Sequence, residues 1–319
     1  MNSVSTPYNR GLHRFALFTA AVTFLLILLG ALVTSNGAGL SVPDWPTSFH
    51  RWPITLGYFE VPLVGGVQWE HTHRILAQLV GLLTIILALW TWRSDRRRWM
   101  RNLGWSALAL VIAQGVLGGI TVLFYLPRAV STAHATLSQT FFCVVAAMAI
   151  FTGRRFVAPE TTPRIPPLAK RPSLRTLTLI SIAVVYVQLI LGAAFRHIIG
   201  PRTFAEFLPH LIGAMVVALV LLWTIMRVLT DYFTVDQLRK PAIALLSLLM
   251  LQLGLGIFTY IAVLVWVGSG WLGITISVLH VGVGAMLLVH TVMLAIQAWR
   301  ALPAAEQVAQ PGIHKVVPA

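Results

Sequence analysis

The sequence predicts an all-α polytopic membrane protein, with eight transmembrane helices arranged as two pseudo-symmetric four-helix bundles. Composition is the first reason: 57% of the 319 residues are hydrophobic and only 10% are charged. This leaves too little polar surface for a soluble globule of this size. The second reason is a series of eight apolar runs, and the third is a repeat of glycine and histidine motifs between the two halves of the chain.

Each apolar run is close to the roughly 20 residues that cross a bilayer as a helix. The predicted spans, numbered one to eight in chain order, lie near residues 15–34, 68–92, 101–124, 129–152, 174–197, 206–229, 241–267 and 271–299. They divide the chain into an N-terminal four-helix half at residues 1–153, a cytoplasmic linker at 154–175 and a C-terminal four-helix half at 176–319. The connection at 35–67 is far longer than its counterpart in the second half, and we expect it to fold over the first half.

The net charge of +14 follows from where Lys and Arg lie relative to the predicted membrane. Eighteen of the 23 basic residues fall in the two termini and in the connections after spans two, four and six. Cytoplasmic segments carry such an excess, so both termini are predicted to be cytoplasmic. Because the basic residues lie between apolar runs and not on one soluble surface, the expected partner is the lipid bilayer and no nucleic acid is expected.

The odd-numbered spans share a Leu-Gly step. The motif reads Gln-Gly-Val-Leu-Gly from Gln114, Gln-Leu-Ile-Leu-Gly from Gln188 and Gln-Leu-Gly-Leu-Gly from Gln252, and the first span carries Leu-Leu-Gly ending at Gly30. Glycines of this kind allow two helices to pack closely, and they equally allow a flat ligand to approach the backbone. The motif alone leaves both interpretations open.

The even-numbered spans each carry a histidine just inside the outer membrane boundary: His73, His134, His210 and His280. A lone histidine in a membrane helix is more often a hydrogen-bonded packing residue than a ligand. Four at equivalent positions, two in each half, instead suit two axial ligands for one heme iron per half. Zinc would require three or four ligands on one centre.

The other histidines have no counterpart in the repeat. His290 is interpreted as a packing residue and His197 as interfacial. Three are expected to be solvated in the tails or the outer loop: His13, His50 and His314. The only cysteine, Cys143, lies inside an apolar run, so an intrachain disulfide is excluded and any metal or cofactor depends on histidine or carboxylate.

The second span begins with the polar sequence Gln-Trp-Glu-His-Thr-His-Arg at residues 68–74. At 100° per residue, Glu70, His73 and Arg74 share about one third of the helix circumference, whereas His71 points away from them. In one interpretation Glu70 and Arg74 form an interfacial ion pair. In the favoured one, Arg74 binds a propionate and leaves Glu70 free to act as an acid or base beside His73.

These motifs together resemble the heme A synthase family. The sequence Glu-His-Thr-His-Arg at 70–74 matches the Glu-x-x-His-Arg signature of that family, and residues 39–46 are similar to the motif of its first outer loop. The segments around His134, His210 and His280 also fall where the family has them. The resemblance covers residues 15–299.

The resemblance implies an oxidoreductase of a prokaryotic cell membrane, which oxidises the C8 methyl group of heme O to a formyl group and so makes heme A for terminal oxidases. His73 and His134 would ligate heme O or heme A, and His210 and His280 a heme b, all toward the outer side. Glu70 would be needed for turnover. A heme O synthase and terminal oxidase assembly are the implied partners.

One departure from the family concerns the first outer loop. Many bacterial members carry a cysteine pair there, whereas Val42 stands at the first of those positions, so a thiol-disulfide role for this loop is in doubt.

Two other functions are weighed against the enzyme. A bis-histidine cytochrome b that passes electrons, for example from quinol, would also hold a heme in each half. It would not require Glu70, whose counterpart three residues before His210 is Phe207. A transporter or heme chaperone has only weak support. The sequence leaves open the electron donor and whether the protein is a homo-oligomer.

Overall fold

The computed structural model describes residues 7–157, 171–198, 200, 203–262 and 270–302. Within these ranges the chain forms helices and no strand. In chain order they are α1 (Arg10–Ser35), α2 (Leu56–Phe59), α3 (Val67–Ser94), α4 (Arg98–Leu123), α5 (Arg128–Thr152), α6 (Arg154–Val157), α7 (Leu174–Arg196), α8 (Phe204–Asp231), α9 (Asp236–Tyr260) and α10 (Gly270–Ala301). Apart from the short α2 and α6, all are long and apolar enough to cross a membrane, which confirms the predicted all-α fold with eight spans.

Side-chain caps mark several helix starts. The side chain of Asn9 accepts a hydrogen bond from the third residue of α1, and Ser173 does the same for α7. Thr203 and Glu206 form a capping box at the start of α8, in which each side chain bonds the backbone of the other. Such caps satisfy backbone N–H groups that have no partner inside the helix.

The observed helices are displaced from the predicted spans by a few residues at most ends. The largest shifts of a helix start are in α1, which begins at Arg10 instead of near residue 15, and in α9, which begins at Asp236 instead of near residue 241. Helix α9 ends at Tyr260. Residues 263–267 of the predicted seventh span lie outside the described residues, as do 158–170 of the linker and His314.

The helices pack in the same pattern in both halves. In the N-terminal half α1, α3, α4 and α5 form a closed ring in which each helix contacts the next, and in the C-terminal half α7, α8, α9 and α10 do the same. The halves meet where α5 contacts α7 and α10, and where α1 contacts α10. This pattern is compatible with the predicted pseudo-symmetric bundles.

Burial follows from that arrangement. Within the most apolar stretch of each span, α5 and α10 bury the largest share, 44% each, because both helices lie at the junction of the halves. In α9 the corresponding share is only 17%. The remaining faces expose large apolar side chains such as Leu17, Leu219 and Met250, which is the surface expected of helices surrounded by lipid.

The long outer loop between α1 and α3 is folded. It contains the short helix α2 and buries Val42, Tyr58 and Val61. Phe49 and His50 adopt positive φ angles of 52° and 61°, a conformation that costs energy for residues other than glycine. Both backbone N–H groups donate to the carboxylate of Asp44, at 2.7 and 2.8 Å, and this compensates for the turn.

Candidate functional site

All four repeat histidines contact a glycine of the Leu-Gly step. In each case the contact is with the helix that precedes the histidine's own span. A Cβ atom built on that glycine would lie 2.8–3.3 Å from Cε1 of the imidazole. The pairs are Gly30 with His73, Gly118 with His134, Gly192 with His210 and Gly256 with His280. The glycines therefore make room for imidazole rings. The sequence had suggested only helix packing or the approach of a flat ligand, so this role was not predicted.

In the C-terminal half the two imidazoles face each other. The ring centres of His210 and His280 are 6.3 Å apart and the ring planes are inclined by 79°. Two imidazoles that ligate one metal from opposite sides, each about 2.0–2.1 Å from it, have ring centres about 6 Å apart. The spacing of His210 and His280 therefore fits axial ligation of one metal ion.

The imidazole nitrogens are also suited to ligating a metal ion. Nδ1 of His73, His134 and His280 is buried and has no hydrogen-bond partner among the described residues. Each of these residues is nevertheless intermediate in exposure, so protein does not enclose it completely. Neutral imidazole pairs on facing helices, with glycine leaving room beside them, are suitable ligands for heme. Each half has two such imidazoles seated on glycine, and in the C-terminal half their spacing also fits a heme held by two histidines.

Glu70 and Arg74 lie under the outer loop at the N-terminal site. Arg74 donates from Nη2 to Oε1 of Glu70 at 2.7 Å, and both side chains are almost fully buried, with exposures of 11% and 5%. The backbone N–H of Val42 donates to Oε2 of Glu70 at 2.8 Å. Both oxygens of the Glu70 carboxylate are thus hydrogen-bonded, one to the helix and one to the loop.

Arg74 binds the loop backbone as well. Its two terminal nitrogens donate to the carbonyl oxygens of Asp44 at 2.5 Å, Thr47 at 2.8 Å and Val42 at 2.8 Å. The prediction that Arg74 leaves Glu70 free is therefore wrong, because a buried guanidinium with five donors satisfies carbonyl and carboxylate acceptors together. Whether Arg74 also binds a propionate stays a prediction.

His71 anchors the other end of the loop. Its Nε2 lies 2.8 Å from the carbonyl oxygen of Tyr58, and the two rings are 4.6 Å apart. Gln78, two turns further along α3, donates from Nε2 to the Tyr58 hydroxyl at 2.7 Å. The loop is therefore fixed to α3 at two places.

Asp44 and Trp45 complete the cover over this half. Burial raises the pKa of Asp44, but hydrogen bonds from the Thr47 hydroxyl and from the backbone of His50 and Phe49 outweigh it and hold the pKa below its ordinary value. The indole of Trp45 lies against α4, where a Cβ on Gly119 would approach it to 2.6 Å. Gly119 directly follows the glycine that contacts His134, so the loop reaches the edge of the histidine site.

The corresponding position in the C-terminal half is aromatic. Phe207, the counterpart of Glu70, lies 4.9 Å from the ring of Tyr260, 5.4 Å from Phe195 and 6.2 Å from His210, measured between ring centres. Glu206, its neighbour in sequence, is used in the capping box of α8. Only the N-terminal site, within the described chain, has an ion pair beside its histidine.

The remaining histidines lie outside the two histidine sites. The prediction that His13 is solvated is wrong, because His13 lies inside α1 and its Nδ1 is 3.0 Å from the carbonyl oxygen of Ala149 in α5. The prediction failed because α1 begins at Arg10, several residues before the apolar run. His290 contacts the carbonyl of Met286 within its own helix at 2.8 Å, His197 caps α7, and His50 is exposed.

The fold and these contacts define a class: a multi-pass membrane protein with two histidines packed on glycines in each half, facing each other in the C-terminal half. Comparison with known proteins narrows this class. A family model described as cytochrome oxidase assembly protein matches residues 65–207. The chain is similar to proteins named heme A synthase.

Curated relatives cover more of the chain. The heme A synthase of Symbiobacterium thermophilum is 28% identical over 86% of this chain and 90% of its own length. That of Shouchella clausii is 28% identical over 77% of this chain and 75% of its own length. That of Alkalihalophilus pseudofirmus is 31% identical, but the match covers 44% of this chain and 46% of the relative. Bacterial relatives and eight apolar helices together indicate a multi-pass plasma-membrane protein.

Proposed function

We propose that this protein is a heme A synthase that oxidises the C8 methyl group of heme O to a formyl group, giving heme A for terminal oxidases. The observation that carries the proposal is the difference between the two histidine sites. Both place imidazoles against glycine, but among the described residues only the N-terminal one adds a buried carboxylate paired with a guanidinium under a folded loop. Its relatives that are named heme A synthase support the same assignment.

In this proposal the two halves bind different hemes. His210 and His280 ligate a heme b in the C-terminal half, and His73 and His134 ligate heme O or heme A in the N-terminal half. The hemes supply the redox chemistry when bound. The chain places the imidazoles, and the loop with Trp45 excludes water from the N-terminal site.

Glu70 is the proposed acid-base residue. Oxidation of a methyl group to a formyl group removes electrons and protons from the carbon and adds oxygen, so a nearby group must take up protons. The Glu70 carboxylate is one helical turn from His73 and is held by Arg74 and the N–H of Val42. A positioned base of this kind contributes about 10²–10⁴ in rate.

The experiment that tests the function is heme analysis after expression in cells that supply heme O. Extraction and chromatography should recover heme A together with heme b, and cells that lack the protein should yield no heme A. Heme b as the only bound heme, with no heme A formed, would overturn the proposal and favour an electron-transfer cytochrome b.

The orientation in the membrane is also part of the proposal. Both termini are placed in the cytoplasm and the histidine sites toward the outer side, near a heme O synthase and terminal oxidase assembly, because the basic residues are concentrated in the cytoplasmic connections. Reporter fusions in the 35–67 loop and in the 154–175 linker should report opposite compartments. The same compartment for both fusions would refute this topology.

A further inference from the structure

Each repeat histidine is placed by two residues of the preceding helix in the same arrangement. The glycine that touches Cε1 is one. The other lies four residues earlier, one helical turn toward the N-terminus on the same face of that helix. For His134, His210 and His280 this second residue is a glutamine, at positions 114, 188 and 252, and for His73 it is Leu26. We call the two residues together the imidazole seat.

The glycine contact is closer than a methyl group would allow. At Gly192 an added Cβ would lie 2.8 Å from Cε1 and 3.2 Å from Nδ1 of His210, a separation that real side chains essentially never show. At Gly30, Gly118 and Gly256 it would lie 3.1–3.3 Å from Cε1, so the ring would have to move by a few tenths of an ångström. Glycine therefore sets how close each imidazole lies to the neighbouring backbone.

The glutamine side chains act on the rings of the C-terminal half. Nε2 of Gln188 lies 3.0 Å from Nδ1 of His210 and also donates to the backbone carbonyl of His210 at 2.8 Å. Nε2 of Gln252 lies 3.3 Å from Nε2 of His280. Gly213, one turn after His210, leaves space for this arrangement, because a Cβ there would overlap Oε1 of Gln188 at 2.0 Å.

The seat of His73 cannot make such a contact. Leu26 has no polar side-chain atom, so no side-chain hydrogen bond can reach the ring of His73 from this position. If His210 ligates iron through Nε2, its Nδ1 carries the proton, and the Gln188 amide would accept that proton through Oε1, which has no hydrogen-bond partner among the described residues. Hydrogen bonds from the second nitrogen of a ligating imidazole fix the orientation of the ring, and losing one typically costs about 10–100-fold in metal affinity.

We propose that the four seat glycines are positioning residues for the imidazoles, and that leucine in place of glutamine at position 26 gives His73 the one seat of the four without a polar side chain. This inference rests on the proposed function, because it takes the histidines to be heme ligands. It also gives that function a physical basis: a substrate heme must enter and leave the N-terminal site, whereas the heme of the C-terminal site is retained.

The first test exchanges the seat residues. In purified protein, the rate of heme loss to excess apomyoglobin should rise about 10–100-fold in Gln188→Leu, for the heme of the C-terminal half. Leu26→Gln should slow heme loss from the N-terminal half, and the low-spin electron paramagnetic resonance signal of that heme should shift. Unchanged loss rates in both variants would overturn the role of the glutamine position.

The second test concerns the glycine and has a matched control. Gly192→Ala should accelerate heme loss and shift the low-spin signal of the C-terminal heme. Gly254→Ala makes the same chemical change in α9 at a position where an added Cβ meets nothing within 4 Å, and it should behave as wild type. If the two variants behave alike, the seat proposal is wrong.

A third measurement does not depend on heme. The melting temperature of Gly192→Ala should fall in the wild-type background and stay unchanged in the His210→Ala background, because the added methyl group meets no ring there. An equal fall in both backgrounds would contradict the seat. A protein that bound no heme would instead refute the proposed function, while this double-mutant cycle would still measure the contact.

Discussion

The two halves of the molecule share a scaffold and differ at its outer end. Each half is a ring of four helices that places two histidines against glycines of the neighbouring helices. One turn before the first histidine, the N-terminal half has Glu70 paired with Arg74 under a folded loop, whereas the C-terminal half has Phe207 among aromatic rings. The placement of the histidines is therefore common to both halves, and the side chains next to them distinguish one half from the other.

The difference is energetically large. Phe207 adds apolar contacts that stabilise the outer end of α8 at no cost in desolvation. Glu70 and Arg74 are buried charges, which are costly unless every donor and acceptor is matched, and removing one partner of such a pair typically costs about 3–5 kcal/mol. A carboxylate held at this cost beside only one of two equivalent histidines indicates a role that the other half does not have.

The largest effect is expected from Glu70→Gln. The amide cannot accept a proton, and its NH₂ group would face the N–H of Val42, so heme A formation should fall by about 10²–10⁴ while both hemes remain bound. Chromatography of extracted hemes should show heme O or a partly oxidised intermediate accumulating. Normal heme A yield from this variant would remove Glu70 from the reaction.

Two further variants separate proton transfer from loop anchoring. Phe207→Leu, at the counterpart position, should leave heme A formation near the wild-type level.

Arg74→Gln removes the contacts to the loop carbonyls and keeps the Glu70 carboxylate. It should therefore open the loop to proteolysis, with a smaller loss in the rate of heme A formation than Glu70→Gln. Equal losses in rate would mean that Glu70 acts only by holding the loop.

A smaller effect is expected from Asp44 and has a defined pH dependence. Because the pKa of Asp44 is lowered in the folded loop, its contribution to stability is present above the ordinary value of about 3.9 and is lost as the pH falls through the folded pKa. Hydrogen-exchange protection at Phe49 and His50 should therefore decrease below about pH 4. Asp44→Asn should weaken that protection already at neutral pH, and Glu60→Gln, an exposed carboxylate of the same loop, should not.

Hydrophobic pattern was sufficient to predict the spans, because about 20 apolar residues in succession have few other stable structures. The recurrence of one histidine on each even-numbered span likewise predicted equivalent positions for His73 and His210. The glycines at 30, 118, 192 and 256 were recognised as a repeat, but their contact with imidazole was not predicted, since it depends on the rotation of neighbouring helices.

The loop could not be predicted in detail for a related reason. The bonds of Arg74 go to three backbone carbonyls, and every residue has a carbonyl, so the sequence carries no signal for them. Tyr58 and Gln78 illustrate the same point, because their contacts depend on the path of the chain. His13 was misplaced because polar residues preceding an apolar run were taken as a tail when they form the first turn of α1.

The most direct test of the account is the heme content of matched histidine variants, purified after expression with heme O supply and checked for membrane insertion. The account predicts that His210→Leu loses heme b and keeps heme O or heme A, whereas His73→Leu loses heme O and heme A and keeps heme b. If both variants lose the same heme, the two halves do not hold different hemes and the division of roles between them is wrong.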